Sequence, residues 1–217
     1  MTASLALSGR TDGHRLAGRI DTGLAAPSQI RLELFPPMAF GRAAFVLAAS
    51  GEQATLFLPR ENRVLRGSRP QEIVERLAGV PLDGAEFRTV LSGCGLTVGA
   101  PGEGRSYENG WIAADADGTT IYLRQIDGHW RVAAASRGPV TVQYGRYDAA
   151  SGRPQEVTLR TTSVLSDGAR TPETHLTVKL SDVQINPSLG AEVFDVQVPP
   201  DAVPLTLEEL KRGVGDR

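Results

Sequence analysis

Apolar and polar residues alternate with period two along much of the chain, which is the signature of antiparallel strands with one buried face. Ile30, Leu32 and Leu34 alternate with Gln29, Arg31 and Glu33. The same rhythm runs through "PVTVQYGRY", where Val140, Val142 and Tyr144 face away from Thr141 and Gln143. It continues in "EVTLRTTSV" and in "HLTVKLSDVQI", with Leu176, Val178 and Leu180 on one side. Between such runs stand Asp12-Gly13, Asn109-Gly110, Asp117-Gly118, Asp127-Gly128, Ser151-Gly152 and Asp167-Gly168. These dipeptides supply the positive φ of tight hairpins. Together they predict a long antiparallel meander of roughly ten or more strands.

Two short helices interrupt the meander after six strands. "PQEIVERL", from Pro70 to Leu77, puts Ile73, Val74 and Leu77 on one stripe, and Gly79 is placed to end the helix. The next opens at Asp83, with Glu86 at capping-box spacing and Phe87, Val90 and Leu91 on one face. A third start signal, Thr206 with Glu209, lies near the end, ahead of a tail expected to fray. This order of elements is α+β, with short helices covering one face of a curved sheet in a single domain over residues 1–217. The stretch "GAPGEGRSYENG", residues 99 to 110, reads as a mobile loop between the halves.

One turn breaks the rule that turns are polar. In "LELFPPMAFGRA", Pro36 and Pro37 stiffen a loop that carries Met38 and Phe40 before Gly41. Burying both large side chains would contribute ~3 to 6 kcal/mol before ordering costs, so they either meet an apolar surface or fold back under the helices.

Charge adds an exclusion. The 23 basic and 25 acidic residues leave a formal net charge of -2, so no overall field attracts nucleic acid. Of the basic residues only Lys179 and Lys211 are lysines. Arg60, Arg63, Arg66 and Arg69 stand three apart; on a strand their faces alternate, which fits a solvated edge, with anionic head groups or an acidic partner as the alternative.

Catalytic and metal-binding patterns are lacking. His14, His129 and His175 have no metal-ligand spacing and fit solvent-facing or satisfied positions in a sheet. No phosphate-binding glycine loop or nucleophile elbow sits in its required strand-to-helix setting. Asp115 and Asp117 fit a hairpin end. The lone cysteine, Cys94, lies in apolar, glycine-rich surroundings and reads as a small buried hydrophobe. Trp111 and Trp130 read as core packing, with lining of an apolar cavity as the alternative. No stretch reaches the ~20 apolar residues of a membrane span.

The series "LALSGR", "LAGRIDT", "IRLELF", "PPMAFGR", "AAFVLAA" and "ATLFLPRENRVLRG", then the helical pair around "LAGVPL" and the closing "EVFDVQVPPDAVPL", resembles the LolA/LolB superfamily, more particularly LolB. These are the periplasmic carrier and outer-membrane receptor of bacterial lipoproteins. The resemblance implies a strongly curved antiparallel sheet, an incomplete β-barrel, whose short helices form a lid over a cavity for acyl chains. Candidate cavity residues are Ile30, Leu32, Leu34, Val140, Val142, Leu176 and Val178 on strands, and Ile73, Leu77, Phe87 and Leu91 on helices. Pro36, Pro37, Met38, Phe40 and Gly41 correspond to the membrane-inserting loop, although two large residues separated by Ala39 replace the family's leucine-containing tip.

The implied function is non-enzymatic and uses no cofactor. The chain would bind acyl chains of lipoproteins or other lipids, receive them from a periplasmic carrier protein and deliver them to the inner leaflet of the outer membrane. An envelope sensor or scaffold that binds lipidated partners without transfer is the alternative. The implied location is the periplasmic face of the outer membrane, with a signal and a lipidated cysteine expected upstream of this chain.

Overall fold

A computed structural model describes residues 1–37, 41–97, 99–162 and 173–210. The leading strands are β1 (Thr2–Thr11), β2 (His14–Ala25), β3 (Gln29–Phe35), β4 (Phe45–Ser50), β5 (Gln53–Leu58) and β6 (Arg63–Ser68). Helices α1 (Pro70–Ala78) and α2 (Gly84–Ser92) follow. The chain returns to strands with β7 (Gly104–Ser106), β8 (Trp111–Ala116), β9 (Thr119–Ile126), β10 (His129–Arg137), β11 (Val140–Tyr147), β12 (Pro154–Thr161) and β13 (Thr174–Gln184). A 3-10 turn, Ala191–Phe194, precedes the two-residue β14 (Val203–Pro204).

All fourteen strands join one curved sheet in the order β14-β6-β5-β4-β3-β2-β1-β13-β12-β11-β10-β9-β8-β7. The first strand thus pairs with the thirteenth, and the second half of the meander is joined to the first along β1 and β13. The sheet stays open, with β14 and β7 at its two edges. Neighbours are antiparallel except β14, which runs parallel to β6.

The turn chemistry is local and specific. Asp12, Asp117 and Asp127 adopt φ of 47°, 49° and 50°, each followed by a glycine at positive φ, as two-residue hairpins with right-handed strand twist require. Asp167-Gly168 lies outside the described residues. The "GAPGEGRSYENG" stretch is not simply a loop: it supplies β7, whose Gly104 to Ser106 pair with Ala114 to Ile112. Three exposed residues form this strand, too few to produce the alternation that reveals longer ones.

Both helices end on left-handed glycines, Gly79 at φ 70° and Gly93 at φ 84°. Asp83 caps α2 by accepting from the Glu86 N–H at 2.8 Å, while the Glu86 carboxylate accepts from the Asp83 N–H at 2.9 Å. Thr206 and Glu209 make the same reciprocal pair, at 3.2 and 2.9 Å, at the start of a helical segment over 207–210.

Three apolar clusters hold these layers. One joins β1 to β6 with α1 and α2 around Leu47, Leu56, Leu65 and Ile73. A second joins β10 to β13 with the interhelical segment around Val80, Leu82, Val142 and Val157. The third lies on the opposite face of the sheet, where Val196 of the C-terminal segment packs on Ala48, Phe57 and Val64. Arg31 fixes this segment by donating to the carbonyls of Val193 and Asp195, both at 3.0 Å.

Candidate functional site: an apolar cavity between the helical pair and the sheet

The concave side of the sheet does not fill completely under the helices. A cavity of about 90 Å³ remains, and every side chain lining it is apolar. Its floor comes from six strands: Leu5 and Leu7 on β1, Leu16 and Ile20 on β2, Leu32 and Leu34 on β3, Phe45 and Leu47 on β4, Val157 and Leu159 on β12, and Leu176 and Val178 on β13. The roof is Val74, Leu77 and Ala78 of α1, Phe87, Val90 and Leu91 of α2, and Val80 and Leu82 between them. A dry apolar void is stable because water gains no hydrogen bonds by entering it.

Of the candidate cavity residues, Leu32, Leu34, Leu77, Phe87, Leu91, Leu176 and Val178 line this space. Ile30, Ile73, Val140 and Val142 do not. They point to the same side but lie 0 to 2% exposed within the packed clusters. Periodicity assigns a face; it does not tell how deep a residue sits behind its neighbours. The β1 wall has its own signal in the sequence, where Leu5 and Leu7 alternate with Ser4, Ala6 and Ser8.

The roof is attached by polar contacts. Gln71 of α1 donates to Asp83 at 3.2 Å. Glu86 of α2 pairs with Arg137 of β10 at 2.5 Å, and the same guanidinium donates to the Leu96 carbonyl at 3.2 Å. At the end of α1, Gly79 packs so closely on Thr11 and Thr174 that a Cβ there would lie 2.1 Å from one hydroxyl and 2.3 Å from the other. Those two buried hydroxyls bond each other at 2.8 Å.

Two tyrosines close the second wing of the sheet. The Tyr144 hydroxyl accepts the Gly95 N–H at 3.0 Å, and burial pushes its ionisation well above the ordinary range. Tyr147 donates to the Val132 carbonyl at 2.7 Å and is pushed up to about 12 by burial, opposed by the Arg131 guanidinium 5.3 Å from its ring centroid.

The proline loop follows β3. Pro36 is half-buried, Pro37 is exposed and Gly41 takes φ 79°, while Met38 and Phe40 lie outside the described residues. Pro36, Pro37 and Gly41 border an outer groove with Ala6, Ala17, Arg19 and Phe35. Leu7 lines both this groove and the inner cavity.

Cys94 and Trp130 lie at the surface rather than in the core. Cys94 is exposed, because the left-handed turn at Gly93 carries the chain outward. Trp130 is 52% exposed beside the Asp127-Gly128 turn, beyond the packed part of the sheet. Trp111 is half-buried, with the Arg124 guanidinium 5.5 Å from its ring centroid. The three histidines are exposed. Asp115 bonds Thr120 at 2.7 Å and Arg105 at 3.0 Å, contacts that hold its carboxyl below the usual range. Arg63 pairs with Glu209 at 3.0 Å, and Arg69 pairs with Glu72 at 3.7 Å. Among the described residues there is no group of three or more acidic, histidine or cysteine side chains suited to a metal ion, and no helix long and apolar enough to cross a membrane.

An open curved antiparallel sheet with a helical pair over an apolar hollow defines the class: the fold is LolA-like, and nothing among the described residues is specific to the LolB side. It is similar to a LolA superfamily protein from Nitrosomonas europaea, with a TM-score of 0.58 at 15% identity, covering 90% of this chain and 89% of that one. It is also similar to a DUF1329 family protein from Desulfovibrio piger, with a TM-score of 0.54 at 9% identity over 89% and 88% of the two chains. No family model matches the sequence, and no curated protein matches it.

Proposed function

We propose that this chain is a non-enzymatic carrier or receptor that shelters acyl chains of lipoproteins or other lipids between the helical pair and the sheet. The observation that carries the reading is the cavity lined by apolar side chains alone. Acyl burial is worth ~0.8 kcal/mol per CH₂ and needs no directed polar group. At about 90 Å³ the cavity is far below the ~300–1,000 Å³ of ordinary ligand pockets, so loading requires α1 and α2 to act as a lid and move off the floor.

In the more specific, LolB-like form of the proposal, cargo arrives from a periplasmic carrier protein and leaves into the inner leaflet of the outer membrane. The stretch that follows Pro36 and Pro37 in the chain makes the contact, through Met38 and Phe40. Such a role demands modest affinity, since a site that outbid the bilayer would never release its cargo.

Mass spectrometry of the purified protein, followed by titration with a fluorescent acyl probe, tests the reading. Lipid is expected to co-purify, and Leu34→Trp, which fills the cavity from its half-buried wall, is expected to weaken probe uptake several-fold without loss of folding. Uptake unchanged in a folded Leu34→Trp protein would overturn it. Movement of a labelled lipoprotein from carrier to vesicles separates delivery from sensing.

A further inference from the structure

A line of three arginines and one histidine crosses the outer face of the sheet near Pro36 and Pro37. Arg10 of β1 stands directly opposite Arg15 of β2 and, on its other side, His175 of β13. His175 in turn stands opposite Arg160 of β12. Residues in register across antiparallel strands share a face, and the strands are about 4.8 Å apart, so the line is roughly 14 Å long. All four side chains are exposed, whereas their chain neighbours Thr11, Thr161, Thr174 and Leu176 are buried on the other face.

The row is not neutralised from within. Among the described residues none of the four forms an ion pair, although Arg19 pairs with Asp21 at 3.1 Å and Lys179 faces Glu156 across β12 and β13. Asp12 and Glu173 stand at the rim, linked by a backbone hydrogen bond of 3.1 Å, and neither lies within ion-pair distance of the row. Like charges directly opposed on paired strands are destabilising. Their presence on a chain of net charge -2 marks the row as a local exception to the overall field.

We infer that the Arg15, Arg10, His175, Arg160 row is a docking strip for an anionic lipid surface. The inference rests on the membrane contact in the proposed function and adds the lipid class. The row lies one residue pair beyond Ala17, which borders the outer groove with Pro36, Pro37 and Gly41. Pro36, Pro37 and Gly41 therefore lie close to the basic row, and durable membrane association takes two signals, one apolar and one electrostatic. All four side chains are exposed and stand in register on one face, so a charged plane can meet them together.

Flotation with vesicles of neutral phosphatidylcholine and of phosphatidylcholine mixed with phosphatidylglycerol tests the assignment. Wild-type protein is expected to favour the anionic vesicles, with the preference fading as salt rises. Arg10→Gln, Arg15→Gln and Arg160→Gln are expected to weaken that binding about fivefold each, and on the order of a hundredfold together. The triple variant should melt no lower than wild type, because repulsion is removed, and should take up the acyl probe normally. Equal binding to both vesicle types, or undiminished anionic binding by the triple variant, overturns the strip. Displacement from vesicles by millimolar inorganic phosphate at constant ionic strength, or loss of binding to an acidic carrier protein only, overturns it as well. Failure of probe uptake in wild type would instead count against the acyl cavity.

Discussion

The two wings of the sheet are built from the same kind of strand but are covered differently. Strands β3 to β6 are packed on both faces: α1 and α2 lie on the concave side, and the C-terminal segment lies on the convex side through Val196. Strands β8 to β10 lie toward the free edge at β7, and Trp130 and Tyr107 are each 52% exposed there. The contrast teaches that non-strand segments cover one wing on both faces, whereas the segment around Val80 and Leu96 reaches only the inner face of the other, at Ala135. The other depends on strand pairing and a single buried face, as in Ile121 and Ala135.

The largest effect that would break this comparison is expected in the doubly covered wing. Leu47→Ala, at a fully buried position that also lines the cavity, should cost about 2–5 kcal/mol in urea denaturation. Leu123→Ala, half-buried on β9, should cost about 1 kcal/mol. Equal losses would mean that the wings are equally packed. A smaller change isolates the convex layer. Val196→Ala should cost about 1.5 kcal/mol and speed amide exchange over residues 191–204, leaving β8 to β10 unchanged.

The smallest effect is expected from pH, and its sign differs between the regions. The Glu209 carboxyl is held low, first by the Thr206 N–H and then by Arg63. Its contribution to β6 and the C-terminal segment is present above the ordinary carboxylate range and is lost as pH falls through the lowered value. Tyr147 is raised to about 12, so its contribution is intact below about 10 and is lost as pH rises toward 12. Amide exchange should therefore loosen the C-terminal segment first in acid and β10–β11 first in alkali. The same region opening first at both extremes would contradict the assignment.

Much of this architecture is written in local sequence. The Asp-Gly turns at Asp12, Asp117 and Asp127, the Asp83–Glu86 and Thr206–Glu209 boxes and the glycine ending α1 depend on residues a few positions apart, and each adopts the expected geometry. What escaped depends on distant parts of the chain. Val196 gives no sign of its partners Ala48, Phe57 and Val64, which lie more than a hundred residues earlier. The basic row as a whole was equally invisible, because only the pairing of β1 with β13 brings the Arg10–Arg15 pair beside the His175–Arg160 pair. For the cavity, alternation identified the correct face for Val142 and Leu176 alike, and only the three-dimensional packing put one behind the wall and the other in it.

Leu7 faces Gly18 across β1 and β2, and it borders the hollow on one side and the loop groove on the other. A side chain at Gly18 would meet the Phe35 carbonyl oxygen at 2.7 Å, so position 18 has no space from which to add substance to that partition. Leu7 is the residue common to both linings, and substitution at residue 18 cannot easily add bulk beside it. Any change in the bulk that separates hollow from groove is therefore made more readily at residue 7 than at residue 18.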